Sequence, residues 1–136
     1  MQKFYAASTL TTPEICFSPE ENIFLIRGTS APEDVRAIYY PVIEWISLFI
    51  DEVIQGKINH YSPELPLKFQ TDLNYFNSSS AKFIYDIFLK LKQLKSAGVP
   101  VIIEWFYEEE DIDLREAGAD IAMLVNMEFT FIPKSK

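Results

Sequence analysis

Three consecutive serines carry the most distinctive chemistry in this sequence. Asn77-Ser78-Ser79-Ser80 follows a segment with strand-like alternation and precedes a segment with helical periodicity. In open α/β sheets, binding and catalytic sites form at the edge where strands end and helices begin. The free N–H groups and the dipole at the start of a helix favour negative charge there. A phosphoryl group on the first serine would gain hydrogen bonds there and add about −1.5 to −2 charges. The alternative is that one serine caps the helix, worth about 1 kcal/mol, and the other two are incidental.

Other reactive residue types form weaker patterns. The acidic run comprises Glu108, Glu109, Glu110, Asp111 and Asp113. Such a run could bind a divalent metal in a small enzyme, but it lacks the spacing of a calcium loop and favours a solvated or docking face. The single cysteine, Cys16, is predicted to be a small buried apolar side chain. The sequence has no nucleophile elbow, P-loop or dinucleotide motif, so it predicts a protein that is not an enzyme and uses no cofactor or metal.

Composition narrows the class of partner. The 136 residues are 49% hydrophobic, with 20 acidic and 12 basic side chains and a net charge of −8. A negative surface repels phosphate backbones and anionic lipid, so we expect neither nucleic acid nor membrane as a partner. The N-terminal residues lack the pattern of a signal peptide, and no apolar run reaches the ~18 residues of a transmembrane helix. These features predict a cytoplasmic protein that binds other proteins.

The serine junction must be positioned by an α/β fold. Two short strands, 14–17 and 22–27, predict a hairpin that ends at Gly28. A capping box at Ser30 and Glu33 predicts the start of a helix that runs to about Ile54 and is bent or divided at Pro41.

The second half of the chain supplies the remaining elements. Residues 67–75 predict a strand, the segment after the serines a helix that ends at Gly98, and residues 99–107 a strand covered on both faces. A helix over 114–125, interrupted at Gly118, and a strand over 129–132 complete the chain. The prediction is one α/β domain, residues 1–136, with about five strands in a mixed sheet and three main helices in the order β-β-α-β-α-β-α-β.

Several short segments spread over residues 12–131 form a combined pattern. They are Thr12-Pro13-Glu14, Gly28 with Ser30, Pro32 and Glu33, Ile43-Glu44-Trp45, Leu73-Asn74-Tyr75-Phe76-Asn77-Ser78-Ser79-Ser80-Ala81-Lys82, Glu104-Trp105-Phe106-Tyr107-Glu108-Glu109 and Glu116-Ala117-Gly118. Together they resemble the SiaC family of bacterial regulatory phosphoproteins. The strongest element is the junction of strand, asparagine, serines and helix.

The resemblance implies a fold similar to the STAS domains of anti-sigma factor antagonists, and a partner-switching function. A serine/threonine kinase of the anti-sigma type would phosphorylate the protein and a PP2C-type phosphatase would reverse this. The unphosphorylated form would activate a diguanylate cyclase and so control cyclic di-GMP and biofilm formation.

The same resemblance assigns roles to residues at the junction. It implies that Ser78 accepts the phosphate, where the family often has threonine, whereas registration on the STAS motif points to Ser79. Asn77, Ser78, Ser79, Ser80 and Lys82 would form the partner-binding surface. Two other interpretations stay open: a constitutive interaction module without a phosphorylation switch, and a small metal-dependent enzyme.

Overall fold

The computed structural model describes residues 1–135, so residue 136 of the predicted domain lies outside it. In chain order the elements are β1 (Phe4–Ala6), β2 (Glu14–Ser18), β3 (Ile23–Ser30), α1 (Val35–Ile54), β4 (Leu67–Phe76), α2 (Ser78–Ser96), β5 (Val101–Glu108), α3 (Ile112–Val125) and β6 (Phe129–Lys134). The predicted fold class and element order are confirmed. One strand was missed, because the three residues of β1 are too few to show a periodicity.

The strands pair in chain order, β1-β2-β3-β4-β5-β6, to form one mixed sheet. The first two pairings are antiparallel and the next three are parallel. Each helix connects two neighbouring parallel strands, and each connection moves one strand further across the sheet in the same direction. Because such connections are right-handed, all three helices lie on the same face of the sheet. The starts of the three helices consequently meet at one edge of the sheet, at the carboxyl ends of the parallel strands.

The opposite face of the sheet lies open. Along β5, Ile103 and Trp105 are buried under the helices, whereas Ile102 on the other face is 37% exposed. The prediction that this strand is covered on both faces is therefore wrong, because the sequential strand order leaves no crossover on the second face. Cys16 lies between the buried residues Ile15 and Phe17 and is half-buried, not buried as predicted.

The start of α1 differs from the predicted capping box. Asp34 is the N-cap, and its carboxylate accepts a hydrogen bond from the Ala37 N–H at 3.3 Å. The strand β3 does not end at Gly28 but continues to Ser30, with a register shift after Gly28. Ser30 is consequently a buried strand residue, and the cap lies four residues further along the chain, at Asp34.

The helices α1 and α3 run without a break through residues predicted to interrupt them. Pro41 lies inside α1, which spans 20 residues. The missing N–H would have bonded the carbonyl of Ala37, an exposed residue whose carbonyl can be solvated, so the helix is not divided. Gly118 is buried inside α3 and faces the indole of Trp105. Its lack of a side chain allows this close approach and does not end the helix.

No helix within residues 1–135 combines the length and the apolar character needed to cross a lipid bilayer.

Candidate phosphorylation site

Asn77 fixes the start of α2, so the helix begins at this junction as predicted, but the cap is the asparagine and not one of the serines. It is the N-cap, with extended backbone geometry, and its side-chain oxygen accepts from the N–H of Ser80 at 2.9 Å. The N–H of Asn77 donates to the carbonyl of Ser30 at 2.9 Å. The end of the neighbouring strand therefore anchors the first residue of the site.

A chain of buried hydroxyls lies beneath this junction. Ser30 Oγ donates to Ser80 Oγ at 2.9 Å, Ser80 Oγ donates to the Ser30 carbonyl at 3.1 Å, and the Tyr39 hydroxyl lies 2.6 Å from Ser30 Oγ. Tyr39 then acts as the donor to Ser30, and each hydroxyl proton has an acceptor. Burial raises the pKa of Tyr39, an effect that its hydrogen bonds to the two serines partly offset. This chain joins β3, α1 and α2 at the edge of the sheet.

Ser80 therefore differs from the other predicted contact residues. Its relative exposure is 0%, and its side chain is occupied by Ser30. It cannot contact a partner at the surface of this structure. The predicted partner-binding surface is therefore corrected by removing Ser80 from it. Sequence reasoning could not separate the three serines, because helical phase decides which one points toward the core, and the phase depends on where the cap lies.

Ser78 and Ser79 are both exposed and line one open cavity of about 400 Å³ between α1 and α2. Ser79 Oγ donates to the side-chain oxygen of Asn77 at 3.2 Å. The Ser78 hydroxyl makes no hydrogen bond to any of residues 1–135. Being in the first turn, the N–H groups of Ser78 and Ser79 have no acceptor within the helix. The junction can thus accept an added anion at either exposed hydroxyl.

Two basic side chains line the same cavity. One is Lys82, which the sequence places in the partner-binding surface, and the other is Arg36 in the first turn of α1. Sequence reasoning missed Arg36. Its position at the start of a helix was a usable signal, because consecutive parallel strands bring the starts of their helices to one edge of the sheet. Using that signal required knowing that β3 and β4 are neighbours.

An apolar groove continues from this cavity along α1 and α2. Tyr40 is 57% exposed, and its ring lies 5.8 Å from that of Phe83, edge to face. Both residues also line an adjoining cavity of about 510 Å³, together with Glu44 and Asp86. The exposed serines therefore lie at one end of a surface that combines aromatic side chains with charges of both signs.

The acidic run is divided among several elements and, in the described part of the chain, shares no cavity with the serines. Glu108 ends β5, and Asp111 caps α3 by accepting from the Leu114 N–H at 3.0 Å. Asp111 and Asp113 line a cavity of about 370 Å³ on the α3 side of β4. Within residues 1–135 no group of three or more His, Cys, Asp or Glu side chains has an arrangement that could hold a metal ion.

Comparison with known protein families decides the family. The model for the "SiaC family regulatory phosphoprotein" matches residues 6–134. This chain belongs to the SiaC family. The resemblance drawn from the junction and the short segments is confirmed.

Related proteins and solved structures agree with this assignment to the SiaC family. A structure of SiaC from Pseudomonas aeruginosa is 25% identical, with a TM-score of 0.76 and 100% of each chain covered. Apo-SiaC from the same species is 23% identical, with a TM-score of 0.80 over 97% of this chain and 99% of that one. An uncharacterised protein of P. aeruginosa strain UCBPP-PA14 is 26% identical over 120 residues, which cover 88% of this chain and 87% of that protein.

A third similar structure contains a second protein. It is the complex of the P. aeruginosa diguanylate cyclase SiaD with its activator SiaC. Its SiaC chain is 23% identical to this one, with a TM-score of 0.78 over 98% of this chain and 99% of that one. This SiaC family member thus has the fold of a protein that activates a cyclase in P. aeruginosa.

Proposed function

We propose that the chain is a non-enzymatic partner-switching protein, regulated by reversible phosphorylation of Ser78. The observation that supports this site is the different environment of the three serines. Ser80 is buried, Ser79 donates to Asn77, and Ser78 is exposed with a hydroxyl that bonds to none of residues 1–135. A kinase can modify Ser78 without breaking a hydrogen bond of the fold. Ser79 remains the alternative acceptor.

The proposed effector is a diguanylate cyclase, so the output would be cyclic di-GMP synthesis and control of biofilm formation. The complex of SiaD with its activator SiaC in P. aeruginosa supports this choice, since the present chain shares the family and the fold. The unmodified form would bind and activate the cyclase, and the phosphorylated form would release it. A serine/threonine kinase of the anti-sigma type would add the phosphate, and a PP2C-type phosphatase would remove it.

The proposed contact surface consists of Asn77, Ser78, Ser79 and Lys82 with the adjoining aromatic groove of Tyr40 and Phe83. An apolar groove beside charged groups suits a protein partner, which would bury the aromatic rings and pair the charges. A phosphoryl group at the end of the groove adds about −1.5 to −2 charges, which must be desolvated or displaced before a partner can bind. The switch would therefore act at the interface and need no change of fold.

The effector is tested with a purified diguanylate cyclase, the one in the same genome that most resembles SiaD. Cyclic di-GMP formation from GTP is measured with the unmodified protein and with protein that carries genetically encoded phosphoserine at position 78. We expect the unmodified protein to raise the rate above that of the cyclase alone, and the phosphoprotein to lose most of this effect. Ser78→Ala should activate as the unmodified protein does, and Ser78→Asp should be impaired.

Protein with phosphoserine at position 79 is the matched control, because it adds the same charge one residue further along the helix. Loss of activation by this form alone would move the site to Ser79. Equal activation by all forms would overturn the switch and leave a constitutive interaction module. No activation by the unmodified protein would overturn the choice of effector.

The acceptor is tested separately with the anti-sigma-type kinase of the same genome. Mass spectrometry after incubation should place phosphate on Ser78, and Ser78→Ala should abolish its incorporation. The PP2C-type phosphatase should then release it. Phosphate found on any residue other than Ser78 would contradict the assignment.

A further inference from the structure

Two basic side chains face the exposed serines from different helices. Arg36 is in α1, Lys82 is in α2, and both line the cavity of about 400 Å³ that Ser78 and Ser79 also line. Neither has an ion-pair partner within residues 1–135. The two cations lie in one cavity on a chain whose net charge is −8. They form an anion-binding arrangement on an otherwise acidic molecule.

Helix geometry explains how the two cations converge on the serines. The rings of Tyr40 and Phe83 lie 5.8 Å apart, so α1 and α2 are in contact at this level. Arg36 lies one turn before Tyr40, and Ser79 lies one turn before Phe83, so both positions lie on the contacting faces. Ser78 and Lys82 are likewise one turn apart, and helical side chains lean toward the N-terminus, so the Lys82 side chain extends toward Ser78.

The other groups of the cavity favour an anion as well. The remaining lining residues are uncharged: Val35, Tyr40, Ser78, Ser79 and Phe83. Four acids flank the two cations: Glu33 and Asp34 precede Arg36 in the chain, and Glu44 and Asp86 line the adjoining cavity with Lys82. None of the four lines the cavity that holds the serines. The Arg36 guanidinium can bind two phosphate oxygens at once, whereas the ammonium group of Lys82 acts as a point charge.

We infer that Arg36 and Lys82 form an intramolecular receptor for the phosphoryl group on Ser78. This inference rests on the proposed phosphorylation of Ser78 and names how the fold responds to it. The phosphate is held between α1 and α2 by the two cations, with the free N–H groups of the first turn of α2 as further donors. Modification then fills the cavity and bridges two helices, so it changes the shape of the contact surface as well as its charge.

The test uses protein with genetically encoded phosphoserine at position 78 and follows the second ionisation of the phosphate by ³¹P NMR. Free phosphoserine titrates with a pKa near 6, and adjacent cations lower this value because they favour the dianion. We expect the double variant Arg36→Gln/Lys82→Gln to titrate about one unit higher than the unaltered phosphoprotein, with Arg36→Gln giving the larger single effect. Lys90→Gln removes the same charge further along α2 and should leave the titration unchanged.

Equal titration of the double variant and the unaltered phosphoprotein would overturn the receptor. So would an equal shift in Lys90→Gln, because the effect would then come from net charge alone. A shift seen with phosphoserine at position 79 but not at 78 would overturn the assignment to Ser78. The readout requires neither kinase nor cyclase, so its result is independent of the activation assay that tests the proposed function.

Discussion

The side-chain oxygens of Ser30 and Ser80 lie 2.9 Å apart, although the two residues are 50 positions apart in the chain. Their hydrogen bond joins the end of β3 to the first turn of α2, directly beneath the exposed Ser78 and Ser79. Both residues are completely buried, and the Tyr39 hydroxyl completes the chain from α1. The site therefore rests on a rigid polar junction of three elements, and only its outer two serines face solvent.

This junction predicts a strong difference between neighbouring serines. Ser80→Ala leaves the buried Ser30 hydroxyl without its acceptor, so we expect the free energy of unfolding to fall by about 1–3 kcal/mol. Ser79→Ala, on the exposed side of the same turn, should change it by less than about 0.5 kcal/mol. Urea denaturation followed by circular dichroism measures both. Similar losses in the two variants would contradict the role of the buried hydroxyls.

Gly118 of α3 predicts an overpacking effect. A Cβ at this position would lie 2.5 Å from Cε2 and 2.6 Å from Nε1 of Trp105. The indole is held in place because its N–H donates to the Leu114 carbonyl at 3.1 Å and its ring packs against Phe88 and Phe129. We expect Gly118→Ala to lower the free energy of unfolding by about 1–3 kcal/mol, although alanine is the better helix former by about 1 kcal/mol.

The exposed Asp120 supplies the control for this experiment, since Asp120→Ala changes the same helix without approaching the indole. Thermal unfolding monitored by circular dichroism measures the stability of both variants, and fluorescence in a Trp45→Phe background reports the environment of Trp105. A Gly118→Ala protein as stable as the unaltered chain would show that the helix can shift away from the ring.

The buried hydroxyls of Tyr39 and Tyr61 predict a loss of stability at alkaline pH. Burial raises the pKa of Tyr61, and its hydroxyl has no hydrogen-bond partner within residues 1–135. In the folded state Tyr61 keeps its proton at pH values above about 10, where the phenol of the unfolded chain ionises. The contribution of Tyr61 to the free energy of unfolding is therefore complete below about pH 10 and is lost as the pH rises toward the pKa of the folded state. Tyr39, whose pKa burial also raises, acts in the same direction.

Tyr61→Phe isolates this effect, because it removes the ionisable group without breaking a hydrogen bond of the described chain. We expect its stability near neutral pH to equal or exceed that of the unaltered protein, because the buried hydroxyl has no partner to lose, and to decline less between about pH 9 and pH 11. Tyr75→Phe, at a side chain that is 55% exposed, is the matched control. An unchanged alkaline decline in Tyr61→Phe would contradict the prediction.

The sequence by itself determined the local features of this protein. Apolar periodicity placed α1, α2 and the parallel strands to within a few residues, and the junction at Asn77 was recognisable because its residue types cap helices. The combined short segments also identified the family. These signals are local, since a backbone segment with a given periodicity adopts the same element wherever it packs.

Tertiary structure decided which of these residues can act. Whether Ser80 or Ser78 faces solvent depends on which side of α2 packs against the end of β3. The position of Arg36 beside the serines depends on β3 and β4 being neighbours in the sheet. The tolerance of Gly118 within a helix depends on a ring from β5. Each of these relationships joins segments that are distant in the chain, and periodicity within one segment contains no information about which other segment it will meet.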